Sequence, residues 1–356
     1  MLTRITLAVI PILFLDCAAF AAWTVTSLHP VGPPDSFGAG MDATRQVGWT
    51  GGDRAALWTG SSASYVNLHP SAAIESRAWG QDVATQVGEA RFTTSTRAAL
   101  WTGSAASYVD LNPINAQGSI AYDVSGSQQV GVATIFGGGD RASLWNGTSA
   151  SWTTIHPSSA TSSGIYATDG TRQAGWARPS TGFALDQAAV WTGTAGSYVN
   201  LHPTGAASSR ARGLDGNQQV GLATFGTQDR AALWSGTSAS YVSLHPLGAT
   251  SSDAWDIDGG YQVGFSNLGG LTTASLWTGT AASFFDLGSV LPSNYFTSEA
   301  REVYADASGV CVVGRAFNTI GSRWEAMLWC NPIPEPSFAG AGALLLLGTA
   351  CRRRWR

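Results

Sequence analysis

Residues 208–246 read SSRARGLDGNQQVGLATFGTQDRAALWSGTSASYVSLHP, and four short strands can be marked off in them. A strand of small residues and arginines runs from Ser209 to Gly213. Asp215, Gly216 and Asn217 carry turn chemistry, since glycine accepts a positive φ and Asp and Asn bond back to their own backbone. Gln218–Ala223 makes a second strand and Arg230–Trp234 a third. Ser240–His245 makes the fourth, and Pro246 stops it because proline cannot donate to a ladder. The runs are short and show no 3.6-residue period, so they read as β and not as helix.

The same pattern recurs seven times. The third-strand tryptophans are Trp58, Trp101, Trp145, Trp191, Trp234, Trp277 and Trp329, at steps of 43, 44, 46, 43, 43 and 52 residues. Each follows a Gln-Val-Gly type motif ending at Gly48, Gly88, Gly131, Gly175, Gly221, Gly264 or Gly314. Repeats of about 40–45 residues built from short strands are the mark of propeller blades. The expected fold is therefore all-β, a single seven-bladed β-propeller of four-stranded blades. The chain ends support it. Trp23–Pro30 reads as a fourth strand with no blade before it, and Ala326–Trp329 as a third strand with no fourth after it. Pairing them completes blade seven and removes the exposed edges.

Spacing shows where the repeat is rigid. From the His-Pro slot to the next motif glycine is 19 residues in six copies, with a serine twelve before the glycine at Ser36, Ser76, Ser119, Ser163, Ser209 and Ser252. A small residue stands ten before it at Gly38, Ala78, Ala121, Ala211 and Ala254. Glycine to tryptophan varies from 10 to 16 residues, so insertions fall between the second and third strands.

Both ends look like addresses. Residues 1–21 carry Arg4, an apolar run from Ile5 to Leu15, and Ala19-Phe20-Ala21, the pattern of a cleaved signal peptide. Residues 332–336 read as a linker, 337–351 as an uncharged, mostly apolar transmembrane helix, and 352–356 as a basic cytoplasmic end. The propeller, residues 22–331, then lies outside the membrane. It carries 14 basic and 21 acidic residues, a net of −7, and the chain has no lysine. That balance argues against nucleic acid, and the missing lysine excludes a Schiff base and a P-loop. No cofactor is implied.

The tail Pro334-Glu335-Pro336, apolar stretch and Arg352-Arg353-Arg354 resembles the PEP-CTERM sorting signal. The resemblance implies a Gram-negative host, processing by an exosortase after signal peptidase, and association with exopolysaccharide or biofilm matrix. The repeats resemble HAF-type extracellular repeats, with Leu-His (Ile155-His156 in one) replacing Leu-Gly in five copies and Leu287-Gly288 keeping the familiar form. This implies export and a propeller-like fold, and brings no catalytic residues with it.

Chemistry is sparse. All five histidines, His29, His69, His156, His202 and His245, share one repeat slot, filled elsewhere by Asn112 and Gly288. Equivalent places on separate blades lie far apart, so they read as structural and not as metal ligands. The seven tryptophans read as inter-blade core by the same logic. Asp256-Ile257-Asp258-Gly259 resembles the start of a calcium loop but matches the turn at Asp215-Gly216. No pair of carboxylates and no Ser/His/Asp set stands out. The sequence thus points to a non-enzymatic surface or matrix module binding extracellular polysaccharide or surface proteins. The alternatives are a propeller enzyme acting on polysaccharide and a structural shell component. The loops between second and third strands, with Phe92, Phe136, Arg178, Phe183 and Phe225, are the candidate ligand face, on the same side as the His-Pro loops.

A disulfide is expected between Cys311 and Cys330. Cys17 leaves with the signal and Cys351 lies in the tail. Export places the remaining two in an oxidising compartment. If the second and third strands of blade seven form a hairpin turning between Ile320 and Gly321, the two face each other within bridging distance.

Overall fold

The structure is a computed structural model describing residues 23–181 and 185–332. The signal segment, Phe183, and the tail with Pro334, Glu335, Pro336, Arg352, Arg353 and Arg354 lie outside the described residues. Among the described residues, no helix is long and apolar enough to cross a membrane.

Seven antiparallel four-stranded sheets follow one another, each made from strands adjacent in sequence except the last. Blades are numbered here from the one that begins at Ser36. Blade five consists of Ser208–Asp215, Gln218–Phe225, Gln228–Trp234 and Val242–Ser243. Its outer strand is shorter than the sequence suggests, because Ser238–Ser240 forms a 3-10 turn. Blade seven consists of Tyr295–Asp306, Gly309–Asn318, Arg323–Pro332 and, as its outer strand, Thr24–Ser27 from the other end of the chain. The closing register is Thr24 opposite Cys330 through Ser27 opposite Met327. Inner strands of successive blades touch around the whole circle, including blade seven against blade one.

Three repeated devices explain the motifs. The glycine of Gln-Val-Gly faces an inner strand so closely that a Cβ at Gly221 would run into the carbonyl oxygen of Arg210, and likewise in every other blade. The seven tryptophans are 0–2% exposed and fill the seams between blades. Trp234 of blade five, for example, lies with Val190 and Leu201 of blade four.

The third device is a polar latch. The inner-strand serine of each blade accepts the amide of the third strand before it, as Ser209 does from Ala188 at 2.9 Å. In five seams it also meets the histidine Nδ1 of the preceding outer segment, at 2.7–2.9 Å. Asn112 takes that place opposite Ser119. The histidines are thus structural, joining neighbours that would otherwise bury unpaired polar atoms. Ser36 closes the circle, bonding both His29 and the Ala326 amide.

Cys311 faces Cys330 in the blade-seven hairpin, and a disulfide joins them.

Candidate functional site

In all seven blades the register of the inner strand slips beside the motif glycine, as at Gly38/Gly40, Ala78/Gly80 and Ala121/Asp123. The same slip occurs in blades four to seven. A β-bulge re-aims one residue out of the ladder. The seven re-aimed residues are Ala39, Trp79, Tyr122, Tyr166, Arg212, Trp255 and Arg301, and all seven line one cavity of about 100 Å³. One side chain from each blade converging on one space places this cavity on the propeller axis.

These residues and their neighbours form a closed belt. Phe37 stacks on Trp49 at 5.2 Å, Trp49 meets Trp79 edge-on at 4.8 Å, Trp79 meets Tyr122 at 6.2 Å, and Tyr122 meets Tyr166 edge-on at 5.2 Å. Arg212 lies over Tyr166 at 5.6 Å and over Trp255 at 4.2 Å. Arg301 also lies over Trp255, at 3.9 Å. Glu299 bridges Arg301 and Arg315 at 2.6 Å each, and Arg315 reaches back over Phe37 at 5.2 Å. Each aromatic or cation–π step contributes about 0.5–2 kcal/mol, enough together to fix the rotamers at the axis.

Three carboxyl groups share the cavity: Asp123, Asp256 and Glu302, each directly following its bulge residue. Asp123 accepts the Thr168 amide of blade four at 2.7 Å, and Asp256 the Val303 amide of blade seven at 3.0 Å. In the preceding blades Gly80 and Gly213 make room, since a Cβ there would meet the Cα of Asp123 or Asp256 at 2.8 or 2.7 Å. Burial pushes Asp123 and Asp256 up to about 7 despite those amide bonds. Burial, and then the charges of Asp256 and Asp123, push Glu302 well above the usual carboxylate range. All three lie deep in the disc yet keep surface on the cavity. Buried, coupled groups of this kind converge where a protein does chemistry more often than elsewhere.

Further out, the charges are paired. Arg212 holds Asp253 at 2.9 Å. Asp186 is bound by Arg178 at 2.7 Å and Arg210 at 2.5 Å, and both guanidiniums lie 5.9 Å from the Trp176 ring.

The loop residues singled out from sequence are scattered by comparison. Phe92 lies against Tyr108 under Arg97, and Phe225 against Tyr241 under Arg230. Phe136 stands alone, 81% exposed. Arg178 is the one drawn into a groove. The loops do share a side with the His-Pro segments, which bond to them through the backbone, as Ile74 does to Arg91 and Ala207 to Thr224. The axial residues were overlooked in the sequence although their position was fixed: they stand nine before the motif glycine in six copies, next to the small residue at ten.

No family model matches this chain, and no curated protein matches it. Solved structures do. The acylaminoacyl peptidase of Pyrococcus horikoshii is similar over 88% of this chain and 54% of its own, at 10% identity and a TM-score of 0.53. Puromycin hydrolase is similar over 84% and 56%, at 10% identity and 0.56. The β-propeller domain of the Trilobed protease from Pyrococcus furiosus is similar over 85% and 99%, at 9% identity and 0.56. This chain thus spans little more than half the length of the two peptidases. At such identity the likeness establishes the propeller fold and nothing finer. It corrects one expectation from the sequence, a non-enzymatic surface or matrix module. The same disc occurs within peptidases, so the propeller fold does not by itself mark a role without catalysis.

Proposed function

We propose that this protein works on a ligand at its axial cavity by acid–base chemistry, as an exported hydrolytic propeller. The observation that carries the reading is the convergence of seven bulge side chains and three carboxyl groups, all raised by burial, on one space. At about 100 Å³ the cavity is well below the roughly 300–1,000 Å³ of a drug-sized site. It suits one terminal unit of a longer chain. Glu302, held protonated, gives its proton to the leaving atom. Asp256, once ionised, takes a proton from the water that adds across the bond. One bond and one water are consumed, and two ends are released. The aromatic belt and Arg212 hold the unit in place.

Export through the signal segment, processing of the Pro334-Glu335-Pro336 tail by an exosortase, and work on polymers outside the inner membrane belong to the same proposal, supported by the signal-peptide pattern of residues 1–21 and the resemblance carried by the tail.

The test is turnover by the full chain on end-labelled extracellular polysaccharide and peptide substrates. Activity is expected to rise with pH through about 7, as Asp256 ionises. Glu302→Gln is expected to lower kcat by about a hundredfold or more with the melting temperature unchanged. A folded Glu302→Gln variant with full turnover, or no turnover of any substrate by the parent, overturns the reading.

A further inference from the structure

A second space, a groove of about 360 Å³, adjoins the axial cavity and shares Arg212 with it. It lies on the side of the 2–3 loops, between blades four, five and six, and is lined by Arg178, Arg210, Asp186, Thr224 and Asp253 among others.

Its three arginines face three aspartates, Asp186, Asp229 and Asp253, and what distinguishes them is how the pairs are made. Asp186 is 4% exposed and bound in two-point fashion by each of two arginines, Arg178 through Nε and Nη2 on one oxygen and Arg210 through Nε and Nη2 on the other. Two cations therefore share one buried carboxylate. Both guanidiniums keep 40% or more of their side chain exposed. Arg212 is spent on Asp253 through the same two nitrogens. Among the described residues, Nη1 of Arg178, Arg210 and Arg212 has no hydrogen-bond partner, so three planar donors remain around one groove. Buried Asp186 and the ring of Trp176 hold the first two rigidly. A preorganised set of planar arginine donors is the chemistry that recognises a planar oxyanion.

We propose that this groove is a binding site for a carboxylate group on the ligand, held by Arg178 and Arg210, one unit away from the axial cavity. The proposal rests on the axial reading for its place in a reaction; binding itself does not require turnover. Two sources supply such a carboxylate, an acidic sugar or the free end of a peptide.

Calorimetric titration of the full chain distinguishes them. The probes are digalacturonate against its methyl ester, and a tripeptide with a free C-terminus against its amide. One acid is expected to bind about tenfold or more tightly than its neutral partner, and which acid does so names the source. Arg178→Gln and Arg210→Gln are each expected to erase that preference. Arg178→Lys and Arg210→Lys, which keep Asp186 compensated, are expected to keep part of it. Glu302→Gln is expected to bind like the parent, so loss of turnover and loss of binding stay separate. Acids and neutral forms binding alike, or no binding by either acid, overturns the site. So does an acid preference that survives in both glutamine variants.

Discussion

Blade five and blade seven are built to one plan and held together differently. In blade five the chain runs through all four strands without a break. The Gln219 Oε1 accepts the Gly236 amide at 2.9 Å and so fixes the turn into the outer strand. Five other blades use the same glutamine, at 2.6–2.8 Å. In blade seven that position is Val312, which is fully buried. Its outer strand arrives from the other end of the chain, so there is no such turn to hold. Other bonds take over: longer strands, the Cys311–Cys330 bridge, and Ser27 donating to Glu325 at 2.9 Å. Trp23 also stacks on Phe285 of blade six at 5.9 Å. The repeat lapses where connectivity itself is missing, and the substitutes are specific to that seam.

The largest break of this comparison comes from removing the borrowed strand. Deleting residues 22–30 takes away fully buried Leu28 and the His29–Ser36 latch, and leaves the Arg323–Pro332 strand as an open edge. A buried leucine and the orphaned ladder together are worth on the order of 5 kcal/mol. The melting temperature is expected to fall by about 10 °C or more. A cooperative transition at the parent temperature would show that the strand does not hold the ring.

Reducing the disulfide is a smaller step. The bridge spans 19 residues and is expected to contribute about 3 kcal/mol in the chain-entropy account. Denaturant unfolding of Cys311→Ala/Cys330→Ala beside the parent measures it. Equal midpoints would mean that the hairpin register alone holds blade seven.

How far the sequence could be read follows the same division. The blades were legible because a strand's signals are local: alternation, turn residues, and proline at the stop. The closing strand was legible because two incomplete ends fit one another. The reason for the motif glycine was not, since the carbonyl it faces belongs to a paired strand, eleven residues back in six blades and fifteen in blade seven. The axis was hidden for a stronger reason. The bulge residues differ in kind from blade to blade, from Ala39 to Trp79 to Arg212, because each meets different neighbours around one shared centre. Nothing in a repeat predicts which unlike residues meet when the circle closes. Asp123, Asp256 and Glu302 are far apart in the chain and drew no notice as a set. The loop phenylalanines drew notice because aromatic residues in loops are conspicuous, yet Phe92 and Phe225 are held against their own blades.

The smallest effect concerns the seams and follows from the latch. Five seams hold a histidine, one holds Asn112, and one has Gly288, which among the described residues leaves Ser298 with only the Ala274 amide. In His202 the ring is tied at both nitrogens, Nδ1 to Ser209 and Nε2 to the Ala206 carbonyl at 3.0 Å. A carbonyl can only accept, so Nε2 carries the proton and Nδ1 accepts the serine hydroxyl, a tautomer assigned from the partners. Protonating Nδ1 would force the serine hydroxyl to turn its hydrogen away, leaving that O–H without its acceptor in the seam. Burial holds all five histidines below the ordinary 6.5, with Arg323, Arg54 and Arg141 adding to it at His29, His69 and His156. The folded state therefore binds fewer protons than the unfolded one just below 6.5, and the latch contribution is present above that pH and lost as pH falls through the lowered values. Asp123 and Asp256 act in the opposite sense. Raised to about 7, they favour the fold at low pH and lose that contribution as pH climbs through 7, so a melting curve mixes the two. Amide exchange separates them, because the serine of each seam accepts one identifiable third-strand amide. After correction for intrinsic rates, protection of the Ala188 and Ala231 amides is expected to fall between pH 7.5 and 5.5. That of Ala98, at the asparagine seam, and of Ala274, at the glycine seam, is expected to hold. Equal loss at all four amides would place the pH response in the disc as a whole and not in its histidine latches.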